Sequence, residues 1–103
     1  MMAIAWSKNA LHDLENIRTY IAIDSTVYAD RQIAKLIQST ETAASFPLSG
    51  RRVPEAQDDG VRELLVGNYR VIYRVEEHQI SIVTVVHAGR DLTQAEAKPW
   101  EVT

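Results

Sequence analysis

The amino-acid sequence predicts an α+β fold in which an N-terminal strand and an antiparallel helical hairpin pack on one face of a small antiparallel sheet (β-α-α-β-β-β). Three observations predict it. Apolar residues recur every three to four positions in the first half, and apolar and polar residues alternate after Gly60. A loop rich in proline and glycine, residues 47–60, lies between the two patterns. At 103 residues, we expect residues 1–103 to form a single domain.

The first half predicts a short strand and two helices. Ala3–Trp6 is an apolar stretch of strand length, and Ser7 suits an N-cap because its hydroxyl can accept from an amide of the first turn. Residues 8–23 then carry one apolar helical face, made of Leu11, Leu14, Ile17 and Ile21. After a polar break at residues 24–26, a second helix carries the stripe Ala29, Ile33, Leu36, Ile37, Thr40 and Ala44. Pro47 ends it, and the short break predicts an antiparallel hairpin.

The second half predicts three strands joined by short turns. The strands are Val61–Val66, Tyr69–Val75 and residues 80–87. Gly67-Asn68 is a two-residue turn signal, because a glycine in first position suits a type I′ or II′ hairpin. Residues 76–79 turn the chain again, and the tail, residues 88–103, carries no pattern that supports a prediction.

The turns predict which side chains share a face of the sheet. The first turn pairs Val66 with Tyr69 and thereby sets the whole first hairpin. Centring the second turn on Glu77-His78 places Tyr73 opposite Ile82, Val71 opposite Thr84 and Tyr69 opposite Val86. The nearly apolar face that results is assigned to the helices. The other face carries Glu63, Leu65, Arg70, Ile72, Arg74, Ser81, Val83, Val85 and His87.

This second face holds the candidate site. In the predicted register Arg70 lies near His87, and Arg90 follows three residues later, so the three side chains should converge at one end of the sheet. Arginine suits bidentate contact with phosphate or carboxylate, and imidazole can transfer protons near neutral pH. The same face has apolar residues, which predict either a partner-binding surface or a cover formed by the tail or the 47–60 loop. The candidate binding residues are Arg70, Ile72, Arg74, Val83, Val85, His87 and Arg90.

Composition narrows the function classes. The chain has no cysteine, which excludes disulfides and cysteine-based zinc sites, and its three histidines lack metal-ligand spacing, so we expect no metal and no cofactor. The net charge of −3 means that any nucleic-acid contact must come from a local arginine cluster. No signal peptide or membrane span is predicted, which indicates a cytoplasmic protein without a membrane partner. No Ser-His-Asp, Cys-His or glycine-rich phosphate motif is present.

Several short motifs, in order, resemble the RelE/ParE toxin superfamily over nearly the whole chain. They read W-S-K-N-A-L-H-D-L, F-P-L-S-G-R-R-V-P-E, V-R-E-L-L-V-G-N-Y-R-V-I-Y-R-V and I-V-T-V-V-H-A-G-R-D-L. The strand motifs are most similar to the ParE or plasmid-stabilisation branch. That resemblance implies a growth-inhibiting toxin of a type II toxin–antitoxin system, which inhibits DNA gyrase without being an enzyme and is neutralised by a cognate antitoxin.

The resemblance leaves two alternatives. A RelE-like toxin would be a ribosome-dependent mRNA endonuclease, with Glu63, Arg70, His87 and Arg90 as its catalytic residues. This chain departs from that branch, since Val61–Val66 has no lysine and residues 92–98 have no tyrosine. The second alternative is an inactive homologue that only binds the antitoxin as a partner or corepressor.

Overall fold

The computed structural model describes residues 1–93 and 98–101. In chain order the elements are β1 (Ala3–Trp6), α1 (Lys8–Ala22), α2 (Thr26–Ser45), β2 (Arg51–Arg52), β3 (Val61–Val66), β4 (Tyr69–Val75), β5 (Gln79–His87) and a 3₁₀ turn (Pro99–Glu101). The predicted α+β order is therefore confirmed. The addition is β2, a two-residue strand inside the segment that was predicted to be only a loop.

Local hydrogen bonds explain where the helices begin. The hydroxyl of Ser7 accepts from the amide of Ala10 at 3.0 Å, and that of Ser25 accepts from the amide of Tyr28 at 3.1 Å. Each serine thus satisfies an amide that the first helical turn leaves unpaired. The second helix ends at Ser45, just before Pro47, as the proline rule predicts.

The sheet has the order β1-β5-β4-β3-β2. The edge strand β1 pairs with β5 in parallel, and the other neighbours are antiparallel, so the predicted antiparallel sheet is in fact mixed. The first hairpin has the predicted register, with Val66 opposite Tyr69. Its turn needs a glycine, because Gly67 adopts a φ of +58°.

The predicted register of the second hairpin is wrong beyond Tyr73. That residue lies opposite Ile82 as expected, but a bulge follows between Ile72 and Tyr73, and Val71 lies opposite Val85 instead of Thr84. One extra residue in β5 shifts every later partner by one position. As a result Tyr69 lies opposite His87, not opposite Val86.

The sheet buries apolar residues on both faces. The helices cover one face, where Val71, Tyr73, Ile80, Ile82 and Val85 pack against Leu14 and Leu36. The other face carries a second cluster, made of Val53, Val61, Ile72, Val83, Val86, Leu92 and Trp100. Of the two predicted alternatives for this face, a cover or a partner, the structure has the cover. Both predicted covering segments contribute to it, the 47–60 loop and the tail.

Candidate functional site

Arg70 lies on the face of β4 opposite the helices and is only 4% exposed. Its Nε donates to Glu63 Oε1 at 2.7 Å, while its Nη1 and Nη2 donate to the two carboxylate oxygens of Glu55 at 3.0 and 2.8 Å. Nη1 also donates to the carbonyl of Arg90 at 3.1 Å. The guanidinium therefore uses its fixed fork to hold two carboxylates and a carbonyl at once.

Four side chains form a carboxylate–guanidinium cluster, in which Arg70 and Glu63 are buried, Glu55 is partly buried and Arg51 is exposed. Glu63 is 1% exposed and also accepts from Arg51, whereas Glu55 also accepts from the amide of Leu92 at 3.1 Å. The hydrogen bond from Arg70 lowers the pKa of Glu55 to about 2, and the same hydrogen bond raises the pKa of Arg70. Two positive and two negative charges balance, so the cluster fastens the loop and the segment after β5 to the sheet.

His87 does not join this cluster, and the expected convergence of Arg70, His87 and Arg90 on one face is wrong. His87 is the exposed last residue of β5, and its ring meets Tyr69 edge-on with the centroids 5.9 Å apart. Its Nδ1 accepts from the amide of Gly89 at 3.1 Å. The bulge in β5 turns His87 to the helix side of the sheet, away from Arg70.

Arg90 lies between the two faces. It lines one shallow pocket together with Arg51 and Arg70, and a second one together with Tyr20 and His87. The second, here called the strand-end pocket, has a volume of about 400 Å³. Arg90 is exposed, and its guanidinium makes no hydrogen bond or ion pair with the residues that the structure describes. Of the predicted residues, His87 and Arg90 are therefore the accessible pair.

The other predicted binding residues are buried or already engaged. Ile72 and Val83 lie in the second apolar cluster, and Val85 lies in the helix-side core because the bulge moved it to that face. Arg74 donates to the Asp58 carboxylate at 3.2 Å and to the carbonyl of Trp100 at 2.7 Å. These four residues make contacts within the fold, and they leave little accessible surface for a partner.

A larger cavity opens on the helix side, between the tip of the helical hairpin and the β3–β4 turn. This hairpin-tip pocket has a volume of about 460 Å³ and is lined by Tyr20, Ile21, Asp24, Ser25, Tyr28, Gln32, Gly67, Asn68, Tyr69 and His87. The pKa of Tyr69 is raised, first by burial and then by the nearby phenols of Tyr20 and Tyr28. The hairpin-tip pocket shares Tyr20, Tyr69 and His87 with the strand-end pocket, so the two pockets form one continuous concave surface.

Sequence reasoning missed Glu55 and the tyrosines of the hairpin tip. Glu55 lies in a segment without periodicity and reaches Arg70 across 15 residues, so no local signal could identify it. Tyr20 and Tyr28 did leave a signal, because both are large apolar residues outside the apolar stripes of their helices. They are 73% and 56% exposed.

Within the described ranges 1–93 and 98–101, no helix is long and apolar enough to cross a bilayer. The same residues bring no three histidine, aspartate or glutamate side chains together in a way that could hold a metal ion.

Comparison with known proteins gives consistent matches. A family model described as the ParE toxin of a type II toxin–antitoxin system, parDE, matches residues 4–92. The putative toxin Y4kP of Sinorhizobium fredii is 31% identical over 93 residues, covering 88% of this chain and 93% of that protein. Toxin RelE2 of Caulobacter vibrioides is 33% identical over 91 residues, covering 87% and 99%.

Two solved structures share the fold. One is from the chromosomal ParDE toxin–antitoxin system of P. aeruginosa, with a TM-score of 0.70 and 21% identity. The other is from the toxin–antitoxin complex RelBE2 of Mycobacterium tuberculosis, with a TM-score of 0.60 and 19% identity. In both cases the match covers 84% of this chain and 96% of the other. At these identities the likeness concerns the fold alone.

Proposed function

We propose that this chain, which belongs to the ParE toxin family of type II toxin–antitoxin systems, inhibits DNA gyrase by binding to it. We also propose that a cognate antitoxin neutralises the toxin. The chain is a toxin of the RelE/ParE superfamily, and the proposal concerns its target. One observation carries the choice of gyrase over RNA cleavage, namely the burial of Arg70 between two carboxylates.

An RNA-cleaving site needs a cation beside the scissile phosphate and an acid and a base within reach of the ribose and the leaving oxygen. Arg70 is 4% exposed and neutralised by Glu55 and Glu63, and Glu63 itself is 1% exposed. His87 lies on the other face. No accessible surface therefore combines the four residues that a nuclease would use here, whereas a toxin that acts by binding needs only an exposed contact surface.

The accessible pair His87 and Arg90 provides that surface in our proposal. Both line the strand-end pocket, together with Tyr20 and Tyr69, at the open end of β5. Exposed arginine and tyrosine are the residue types that contribute most to protein–protein binding. We therefore expect gyrase to contact this end of the sheet.

The test is a supercoiling reaction with purified gyrase, relaxed plasmid and the purified chain. We expect supercoiling to be blocked or cleaved DNA to accumulate, and we expect Arg90→Ala to weaken this effect at least about tenfold, as for a central interface arginine. The matched control is Arg18→Ala, which removes an exposed arginine of α1 that is paired with Asp30 of α2 and lines neither pocket. Unchanged supercoiling at excess toxin contradicts the gyrase proposal.

The antitoxin partner is supported by the two structural neighbours, which come from toxin–antitoxin systems. We expect a short reading frame beside the toxin gene to encode it. Co-expression of that product should restore the growth of bacteria in which the toxin is induced. Growth that stays arrested contradicts this pairing.

One observation favours a second candidate, a RelE-like ribosome-dependent endoribonuclease. The chain is 33% identical to a protein named toxin RelE2, and His87 and Arg90 share an accessible pocket. Primer extension on translated mRNA should then show cuts that His87→Ala abolishes. Intact message together with blocked gyrase excludes this candidate, and unimpaired growth after induction favours an inactive homologue that binds the antitoxin only.

A further inference from the structure

The hairpin-tip pocket contains an unsatisfied hydrogen-bond donor. Gln32 on α2 is 7% exposed, and its Nε2 is the only buried side-chain nitrogen or oxygen without a hydrogen-bond partner among residues 1–93 and 98–101. This amide lines the pocket beside Gly67, where a β-carbon would come within 3.2 Å of Nε2. A buried donor without an acceptor destabilises a folded chain, so its presence here needs an explanation.

The walls of the same pocket are aromatic and exposed. Tyr20 lines the pocket from α1, Tyr28 from α2 and Tyr69 from the sheet. Ile23 and Val27, which lie between the two helical tyrosines in the chain, are 78% and 64% exposed. Exposed apolar side chains grouped in this way, with tyrosine prominent among them, are typical of protein-binding surfaces.

The charge of the pocket restricts its ligand. Asp24 contributes a carboxylate, and neither lysine nor arginine is among the lining residues. Phosphate groups are therefore disfavoured, which argues against nucleic acid. A cation is favoured, since tyrosine rings attract cations and a guanidinium group stacks well on them.

We propose that the hairpin-tip pocket binds an arginine-bearing segment of a partner protein. The guanidinium stacks on the tyrosine rings next to Asp24. The buried Gln32 side chain turns towards the pocket, so that its Nε2 donates to a backbone carbonyl of the segment. This inference goes beyond the proposed function, because it concerns the end of the concave surface that Arg90 does not line, and it holds whichever target the toxin has.

The test is an NMR titration of the full ¹⁵N-labelled chain with the peptide acetyl-Ala-Arg-Ala-amide. We expect chemical-shift changes in the side-chain amide of Gln32 and in the backbone amides of Gly67 and Asn68. The uncharged peptide acetyl-Ala-Gln-Ala-amide is the control, and inorganic phosphate and a trinucleotide test for an anionic ligand. Equal binding of the two peptides, shifts only elsewhere, or a response to phosphate and nucleotide alone overturns the proposal.

Two variants test the assigned contacts. Asp24→Asn and Gln32→Leu should each weaken peptide binding about fivefold, the effect of losing one hydrogen bond or charge contact. Gln32→Leu should also raise the melting temperature, since it removes an unpaired donor from the interior. The matched controls are Glu41→Gln and Gln38→Leu on the exposed side of α2. A lower melting temperature for Gln32→Leu with unchanged peptide binding refutes the role of Gln32.

The titration contains no gyrase, so the two proposals fail separately. Peptide binding without gyrase inhibition contradicts only the proposal that gyrase is the target. Gyrase inhibition without peptide binding contradicts only the proposal that the hairpin-tip pocket binds arginine.

Discussion

Arg70 and His87 lie at the same end of two neighbouring strands but on opposite faces of the sheet. His87 pairs with Tyr69, whose ring packs on the helix-side core, whereas Arg70 is buried beneath the 47–60 loop. The bulge in β5 produces this separation, and Asp13 binds the strand beside it. Its carboxylate accepts from the Thr84 hydroxyl at 2.5 Å and from the Val85 amide at 3.0 Å, immediately after the bulge. His87 and the carboxylate–guanidinium cluster therefore lie on opposite faces of the sheet.

The first prediction concerns this support of the bulge. Asp13→Ala removes the acceptor of two partly buried donors, so we expect the free energy of unfolding to fall by about 1–3 kcal/mol. The Val85 amide should also exchange its hydrogen faster. Denaturant unfolding and hydrogen exchange measure both effects. Glu15→Ala, an exposed change on the same helix, should alter neither.

The second prediction separates structure from target contact. Arg70→Ala leaves Glu55 without a cation and buried Glu63 with only the exposed Arg51, which should cost about 3–5 kcal/mol. Arg70→Lys cannot restore the bidentate contact. Arg90→Ala should leave the melting temperature unchanged yet reduce growth inhibition. Thermal unfolding and a growth assay give the comparison. A fully stable Arg70→Ala protein contradicts the structural role of the cluster.

The third prediction concerns acid stability. The pKa of Glu55 is about 2 in the folded chain and near the ordinary value of 4.5 in the unfolded chain, because only the folded chain brings Arg70 to it. Its ionised form therefore stabilises the fold above pH 4.5, by at most about 3 kcal/mol, and this contribution is lost as the pH falls towards 2. In Glu55→Gln the free energy of unfolding should depend less on pH in this window. Asp59→Asn, which alters an exposed carboxylate, should keep the wild-type dependence.

The fourth prediction concerns the close approach of Gly50 to Tyr73. A β-carbon on Gly50 would lie 2.5 Å from the Tyr73 hydroxyl oxygen and 2.7 Å from the carbonyl oxygen of Glu63. That hydroxyl also donates to the Pro47 carbonyl at 2.7 Å and accepts from the Gly50 amide, so it cannot easily move. We expect Gly50→Ala to lower the free energy of unfolding by about 1–3 kcal/mol. Gly89→Ala, whose β-carbon would meet only His87 at 3.5 Å, should change it little.

The sequence by itself determined the helices, the first hairpin and the face of its two strands that the helices cover. These features follow from residues a few positions apart. Ser7 and Ser25 begin the helices, Pro47 limits the second one, and Gly67 sets a two-residue turn whose register extends along both strands. These features depend on contacts between residues close together in the sequence. The spacing of apolar residues is therefore enough to predict them.

Only the tertiary structure decided the arrangement of the site. Asp13, which binds β5 beside the bulge, lies 71 residues before Thr84, and Arg70 is held by Glu55, which lies in a loop without periodicity. The single extra residue in β5 moved His87 and Val85 to the helix side, which no local pattern records. The physical reason is that these contacts join parts of the chain far apart in sequence. Their energies exist only once the helices, the loop and the sheet have packed together.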